Sequence, residues 1–159
     1  MSLSTIINIV KGWPNPSIVE DSLPADETVS SGLGQGDIVT ISSDRKWKLG
    51  VTSVNETPYI INVDSSDPST GREAHKPGYV QIPWGNIHGI SLTNPLEIET
   101  ANYDNSFTYV VGSPLSAPAG LLKLAQANEV IVGVVTKVPY TLGGQTYLTF
   151  VAENGKRVA

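Results

Sequence analysis

Apolar and polar side chains alternate most regularly at Leu96–Thr100. Leu96, Ile98 and Thr100 fall on one face, Glu97 and Glu99 on the other, which is the two-residue period of a half-buried strand. Further runs rich in Val, Ile, Thr or aromatic residues, each bounded by Gly, Pro, Asn or Asp, predict strands at Asp37–Ile41, Trp47–Val54, Tyr59–Val63, Tyr79–Ile82, Thr108–Val111, Glu129–Val138 and Thr146–Val151. Val130–Val135 is apolar on both faces, which places it in the middle of the fold. Gly133 within it marks a bend or a close backbone approach.

The breaks between these runs are equally informative. Gly143-Gly144 between Tyr140 and Tyr147 predicts a hairpin turn, Ser43–Lys46 a second one, and Asn154-Gly155 a turn after the last strand. The stretch from Asp64 to Gly78 reads as a surface loop. Only Ala117–Asn128 hints at helix, and with Pro118 and Gly120 at its start a strand or turn is as well supported. Fifteen Gly and eleven Pro spread over 159 residues leave little room for helices of ordinary length, so an all-β fold is expected.

Residues 1–31 differ from the rest. They hold an apolar cluster, three prolines (Pro14, Pro16, Pro24) and four acids (Glu20, Asp21, Asp26, Glu27) ahead of the run Gly32-Leu33-Gly34-Gln35-Gly36. We read 1–35 as an extended arm with a Gly-rich hinge, and 36–159 as the β domain. Ile6, Ile7, Ile9, Val10 and Trp13 would have to be exposed on a monomer, so they are the candidate contacts to a neighbouring subunit or a larger partner. Such a segment would order on binding.

Charge narrows the function. With 10 basic and 15 acidic residues, a net charge of -5 and basic residues scattered except for the local group Arg45, Lys46 and Lys48, the chain is a poor match to a surface that releases counterions from nucleic acid. Charged residues make up only 16% of the chain, so the surface is rich in hydroxyl and amide groups, which suits packing against protein. The absence of cysteine rules out disulfides, thiolate zinc sites and thiol nucleophiles. The opening MSLSTIINIVKGW has a short apolar run followed, not preceded, by Lys11, unlike a secretory signal. No run approaches the roughly 20 apolar residues of a spanning helix.

Candidate chemistry is sparse. Gly32, Gly34 and Gly36 lead into a strand, not the helix that a phosphate-cradling loop requires. Asp64–Glu73 lacks the calcium-loop spacing, having Pro68 and Ser69 at the fifth and sixth positions. His75 and His88 are the only histidines and lie in no hydrolase or zincin motif. Ser43 and Lys46 match S-x-x-K without its companion motifs. Glu97 and Glu99 stand side by side on one strand face rather than across a cleft, as glycoside hydrolysis would need. Trp13, Trp47 and Trp84 could form a sugar platform, although aromatics in a small β domain more often fill a core or interface. We therefore expect no catalytic residue, no cofactor and no metal.

One stretch carries more specific information. It runs Phe107-Thr-Tyr-Val-Val-Gly112-Ser-Pro-Leu115, then Ala119-Gly120-Leu-Leu-Lys123-Leu-Ala125, then Glu129-Val-Ile-Val-Gly133-Val-Val135. It resembles the C-terminal half of tailed-phage head-decoration (capsid cement) proteins, although Gly120 to Lys123 is one residue longer than the family's Gly-Lys-Leu element. Gly36-Asp37-Ile38-Val39-Thr40-Ile41 is similar to the Gly-Asp-x-Val opening strand of such domains. The resemblance touches about two-thirds of the chain. It implies a small β-barrel or β-sandwich, trimeric, bound to the major capsid protein on the outer surface of the virion head and made in the host cytoplasm. Neither nucleic acid nor membrane is an expected partner. The alternatives are another virion part, such as a tail or fibre protein, and a carbohydrate-binding β-sandwich module.

Overall fold

The computed structural model describes residues 7–11, 20–26, 33–62, 87–93, 96–153 and 158. Regular structure among them is β1 (Ile7–Lys11), β2 (Glu20–Leu23), β3 (Ile38–Ile41), β4 (Trp47–Leu49), β5 (Tyr59–Ile61), β6 (Ile87–Ser91), β7 (Glu97–Thr100), β8 (Pro114–Ser116), β9 (Lys123–Leu124), β10 (Gly133–Leu142) and β11 (Gln145–Ala152). The expected all-β class is observed. A six-stranded sheet has the order β1-β7-β11-β10-β8-β9 and a five-stranded sheet the order β2-β6-β5-β3-β4. Every pairing within them is antiparallel.

Alternation explains the core. Ile98, Leu148 and Phe150 of the six-stranded sheet pack with Ile38, Ile60 and Ile90 of the five-stranded sheet, all fully buried. Val39, Tyr59, Ile61 and Ile87 point to the opposite face of the five-stranded sheet and form a second cluster with Trp47, Leu23 and Leu33. That sheet is apolar on both faces, which is why Asp37–Ile41 and Tyr59–Val63 read as nearly continuous apolar runs. Trp47 anchors the second cluster. Its Nε1 donates to the Ile87 carbonyl at 2.7 Å, and its ring lies 5.1 Å from that of Tyr59.

Two glycines make close packing possible. A Cβ on Gly89 would lie 2.7 Å from the Trp47 ring, and one on Gly133 would lie 2.5 Å from Phe150 Cδ2. The close approach expected at Gly133 is thus present, against the Phe150 ring.

The hairpin turns fall where expected. Gly143 and Gly144, with φ of 62° and 86°, join Leu142 to its cross-strand partner Gln145, and two successive positive φ values are what a type I′ turn demands. At Ser43–Lys46, Ser42 N–H donates to the Lys46 carbonyl and Arg45 takes φ 57°. Residues 117–128 contain turns and the two-residue β9, with no helix.

Other expectations are corrected. Thr108–Val111 is not a strand. Ser113 N–H donates to the Val110 carbonyl and Gly112 takes φ 94°, so the chain turns before a ladder can form. Trp47–Val54 ends as a strand at Leu49, because Gly50 at φ 86° redirects the backbone and Val51 N–H goes to the Ala117 carbonyl. The strand expected from Glu129 begins at Gly133; Val132 is buried and hydrogen-bonded to Leu115 without joining the regular ladder. Tyr79–Ile82, the Asp64–Gly78 loop and the Asn154-Gly155 turn lie outside the described residues.

The segment expected to be an arm supplies two sheet edges. β1 pairs with β7, Ile7 opposite Thr100 and Ile9 opposite Ile98, so both isoleucines extend the inner apolar face. Ile7 is 4% exposed within a single chain, and it does not need a neighbour to cover it. β2 pairs with β6. The physical reason is that the open edges of β7 and β6 present unpaired backbone groups which a short apolar strand can satisfy.

Candidate interaction surface

β10 begins in the middle of the six-stranded sheet and ends outside it. On one side β8 pairs with it only at Gly133 and Val134. The ladder is prolonged by Val135 N–H to the Ser113 carbonyl at 2.9 Å and Gly112 N–H to the Val135 carbonyl at 2.8 Å. Beyond that point no strand among the described residues pairs with this side of β10. On the other side of the hairpin, β7 pairs with β11 only from Leu148 onward. The β10–β11 hairpin from Lys137 to Tyr147 therefore continues as a two-stranded ribbon with an open edge along β10, while on the β11 side Tyr147 is buried and Gln145 and Thr146 border the loop Ala101–Asn105.

The ribbon and the turn beside it carry exposed apolar side chains. Val138 and Leu142 on β10 are 47% and 64% exposed, and Val110 and Val111 in the adjacent turn are 59% and 65% exposed. The Gly112 N–H and the Ser113 carbonyl, donating to and accepting from Val135, hold that turn next to the place where β10 leaves the sheet. Exposed apolar groups along an open strand edge and in the turn at its start suit a protein partner. Register shifts between Val135 and Lys137 and between Lys137 and Tyr140 re-aim the strand there.

The outer face at the base of the ribbon is polar and well partnered. Tyr140 OH donates to Glu99, Lys137 Nζ sits 4.1 Å from the centre of the Tyr140 ring, and Tyr147 lies across the ladder with its ring 6.0 Å away. The Glu99 hydrogen bond holds the Tyr140 phenol protonated, pushing its pKa up to about 12, the opposite of what a phenolate base requires. Glu97 and Glu99 are both half-buried on the same face, as the alternation implied, and Glu99 is engaged by the tyrosine.

Elsewhere the polar clusters hold loops in place. Glu56 accepts from Lys48 Nζ (2.8 Å), Thr52 N–H (3.0 Å), Ser53 N–H (2.8 Å) and Thr40 Oγ1 (3.1 Å). Burial alone would raise its pKa, but these donors together lower it to about 2. Beside it a cleft of about 180 Å³ is lined by apolar groups including Pro58, Leu92, Val130 and Ile131, with Glu56 and Glu153 also on its wall. Glu129 accepts from Lys123 Nζ and Ser116 Oγ; burial opposes its ionisation, yet those bonds hold its carboxyl below the usual range.

The structure separates the remaining candidates. Of the five apolar arm residues, Ile7 is in the core, Ile9 packs against it and Val10 is exposed; Ile6 and Trp13 lie outside the described residues. Trp47 is fully buried and can offer no face to a sugar, while Trp84 is outside the described residues. His88 is half-buried in β6. His75 and Asp64–Glu73 are also outside. Gly34 N–H donates to Asp37 Oδ2 at 2.8 Å, a turn rather than a phosphate cradle. Among the described residues no group of three or more His, Asp or Glu is placed to hold a metal ion.

Val110, Val111 and Val138 fall inside runs that read as strand and hence as core, and Leu142 falls in the predicted hairpin region beside Gly143. Their only signal is proximity to Gly112 and Gly143. Comparison with family models, curated proteins and solved structures finds no match to this chain.

Proposed function

We propose that this chain is a structural virion protein of the head-decoration type, which binds the outer surface of a phage capsid and stabilises the shell. The observation that carries the reading is the open outer edge of β10, with the exposed Val110-Val111 turn beside its start and Val138 and Leu142 exposed along it. The turn itself belongs to the stretch that resembles decoration proteins. The other glycines of that stretch have defined structural work, Gly120 at φ 95° against Leu49 and Gly133 against Phe150. Attachment through an exposed ribbon, repeated over a lattice, lets weak contacts add up. With Ile7 committed to the core, the ribbon takes over the role first given to the arm. The same reading makes the protein a homotrimer on the shell.

The test is co-sedimentation with expanded, undecorated heads assembled from the cognate major capsid protein. The wild type should saturate the heads in multiples of three copies per site. A Val111→Asp, Leu142→Asp double variant should keep its thermal midpoint and lose most of its occupancy. Absence of wild-type binding would overturn the reading, and full occupancy by the double variant would exclude the ribbon as the attachment element.

A further inference from the structure

At the tip of the β10–β11 hairpin, three segments border two adjoining grooves. These are the turn carrying Gly34, Gln35 and Asp37, the loop Ala101–Asn105 after β7, and the first residues of β11, Gln145 and Thr146. The grooves have volumes of about 290 and 240 Å³ and share Ala101 and Gln145. Their walls combine the amides of Gln35, Asn102, Asn105 and Gln145 and the hydroxyl of Thr146 with Gly34, Ala101, Asp37 and the half-buried ring of Tyr103.

The chemistry of these walls excludes most ligand classes. Among the described residues Asp37 is the only charged one on the lining, so an anion would find no cation among them. Each of its oxygens already accepts one hydrogen bond, Oδ2 from Gly34 N–H and Oδ1 from Asn102 Nδ2. One carboxylate so engaged falls far short of the six to eight oxygens around a calcium ion. An apolar ligand would strand the amides without partners. Primary amides carry donors and an acceptor side by side, which matches adjacent hydroxyls on a ring. Tyr103 is fixed by an edge-on contact with Tyr109, with centroids 5.6 Å apart at 77°, and its backbone bridges to Leu122. A ring so held offers an apolar surface for the C–H face of a sugar.

We propose that this double groove binds a neutral saccharide, with Asn102 and Asn105 addressing its hydroxyls and Tyr103 its apolar face, while Gln145, whose Oε1 accepts from Tyr147 OH at 2.9 Å, forms part of the wall. The groove shares Gln145 and Thr146 with the tip of the β10–β11 hairpin and does not involve the buried Trp47, and the proposal holds whether or not the chain decorates a capsid.

The experiment is saturation-transfer NMR followed by titration on the intact protein. The probes are maltotriose and the trimer of N-acetylglucosamine, with trigalacturonate as the anionic counterpart and glycerol as a simple polyol. At least one neutral trisaccharide should bind with a roughly millimolar Kd, as expected of a shallow open groove, and glycerol at equal concentration should not displace it. Asn105→Ala, at an exposed position, should weaken binding about fivefold with an unchanged thermal midpoint. Tyr103→Leu, which keeps an apolar group against Tyr109, should weaken it about tenfold. No transfer from either neutral trimer, equal binding of trigalacturonate, displacement by glycerol, or wild-type affinity in Asn105→Ala would each overturn the proposal. Head binding is absent from this assay, so its failure would leave the decoration reading where it stands.

Discussion

Asn102 Nδ2 donates to Asp37 Oδ1 at 3.0 Å across 65 residues of sequence. The same carboxylate accepts from Gly34 N–H at 2.8 Å through its other oxygen. Asp37 thus joins the turn that opens β3 in one sheet to the loop that leaves β7 in the other. Asp37→Ala removes both acceptors and should destabilise the protein by about 1.5–3 kcal/mol, the range for hydrogen bonds to a charged group. Asn102→Ala removes one and should cost less. Urea midpoints of the two variants and their double would show sub-additive losses, because the two side chains share one bond.

Gly89 faces the Trp47 indole so closely that a Cβ would lie 2.7 Å from Cζ2 and 2.8 Å from Cη2. The indole cannot retreat, since it is fully buried and hydrogen-bonded to Ile87. Gly89→Ala is therefore expected to cost about 1–3 kcal/mol by overpacking. An unchanged urea midpoint would mean that β6 shifts freely against β4.

Glu56 has a folded-state pKa of about 2 against an ordinary 4.5. A carboxylate depressed in the folded state contributes stability above its unfolded pKa and loses it as pH falls through the folded value. Glu56→Gln should thus cost about 1–2 kcal/mol at neutral pH, reflecting weakened charge-assisted hydrogen bonds at a partly exposed site. The gap from wild type should close between about pH 4.5 and about pH 2. Denaturant titrations at several pH values check both the size and the window.

Ile7 is 4% exposed and Val10 is 41% exposed on the same short strand. Ile7→Ala should cost about 2–4 kcal/mol, as for other buried aliphatic truncations, and Val10→Ala within about 0.5 kcal/mol. If Ile7→Ala proved silent in equilibrium unfolding, β1 would be dispensable to the core.

Local pattern and turn chemistry decided much of this protein before any tertiary contact. Leu96–Thr100 had to be a two-faced strand because its polarity alternates, and Gly143-Gly144 had to turn because two successive positive φ values are open to glycine at little cost. The apolar run around Gly133 had to be interior. What only the tertiary structure decided were the elements whose identity comes from a partner. β2, β8 and β9 have two to four residues, too few to show a period, and become strands because β6, β10 and β8 supply a ladder. β6 is hidden in sequence by His88 and Gly89, although Gly89 is the residue that admits Trp47. Val110 and Val111 read as strand until Gly112 turns the chain beside them. β1 reads as a free arm until Ile7 and Ile9 meet Thr100 and Ile98 on β7. The polar groove draws its walls from residues 34–37, 101–105 and 145–146. No local rule brings such separated segments together; the pairing of β7 with β11 and the packing of the two sheets do.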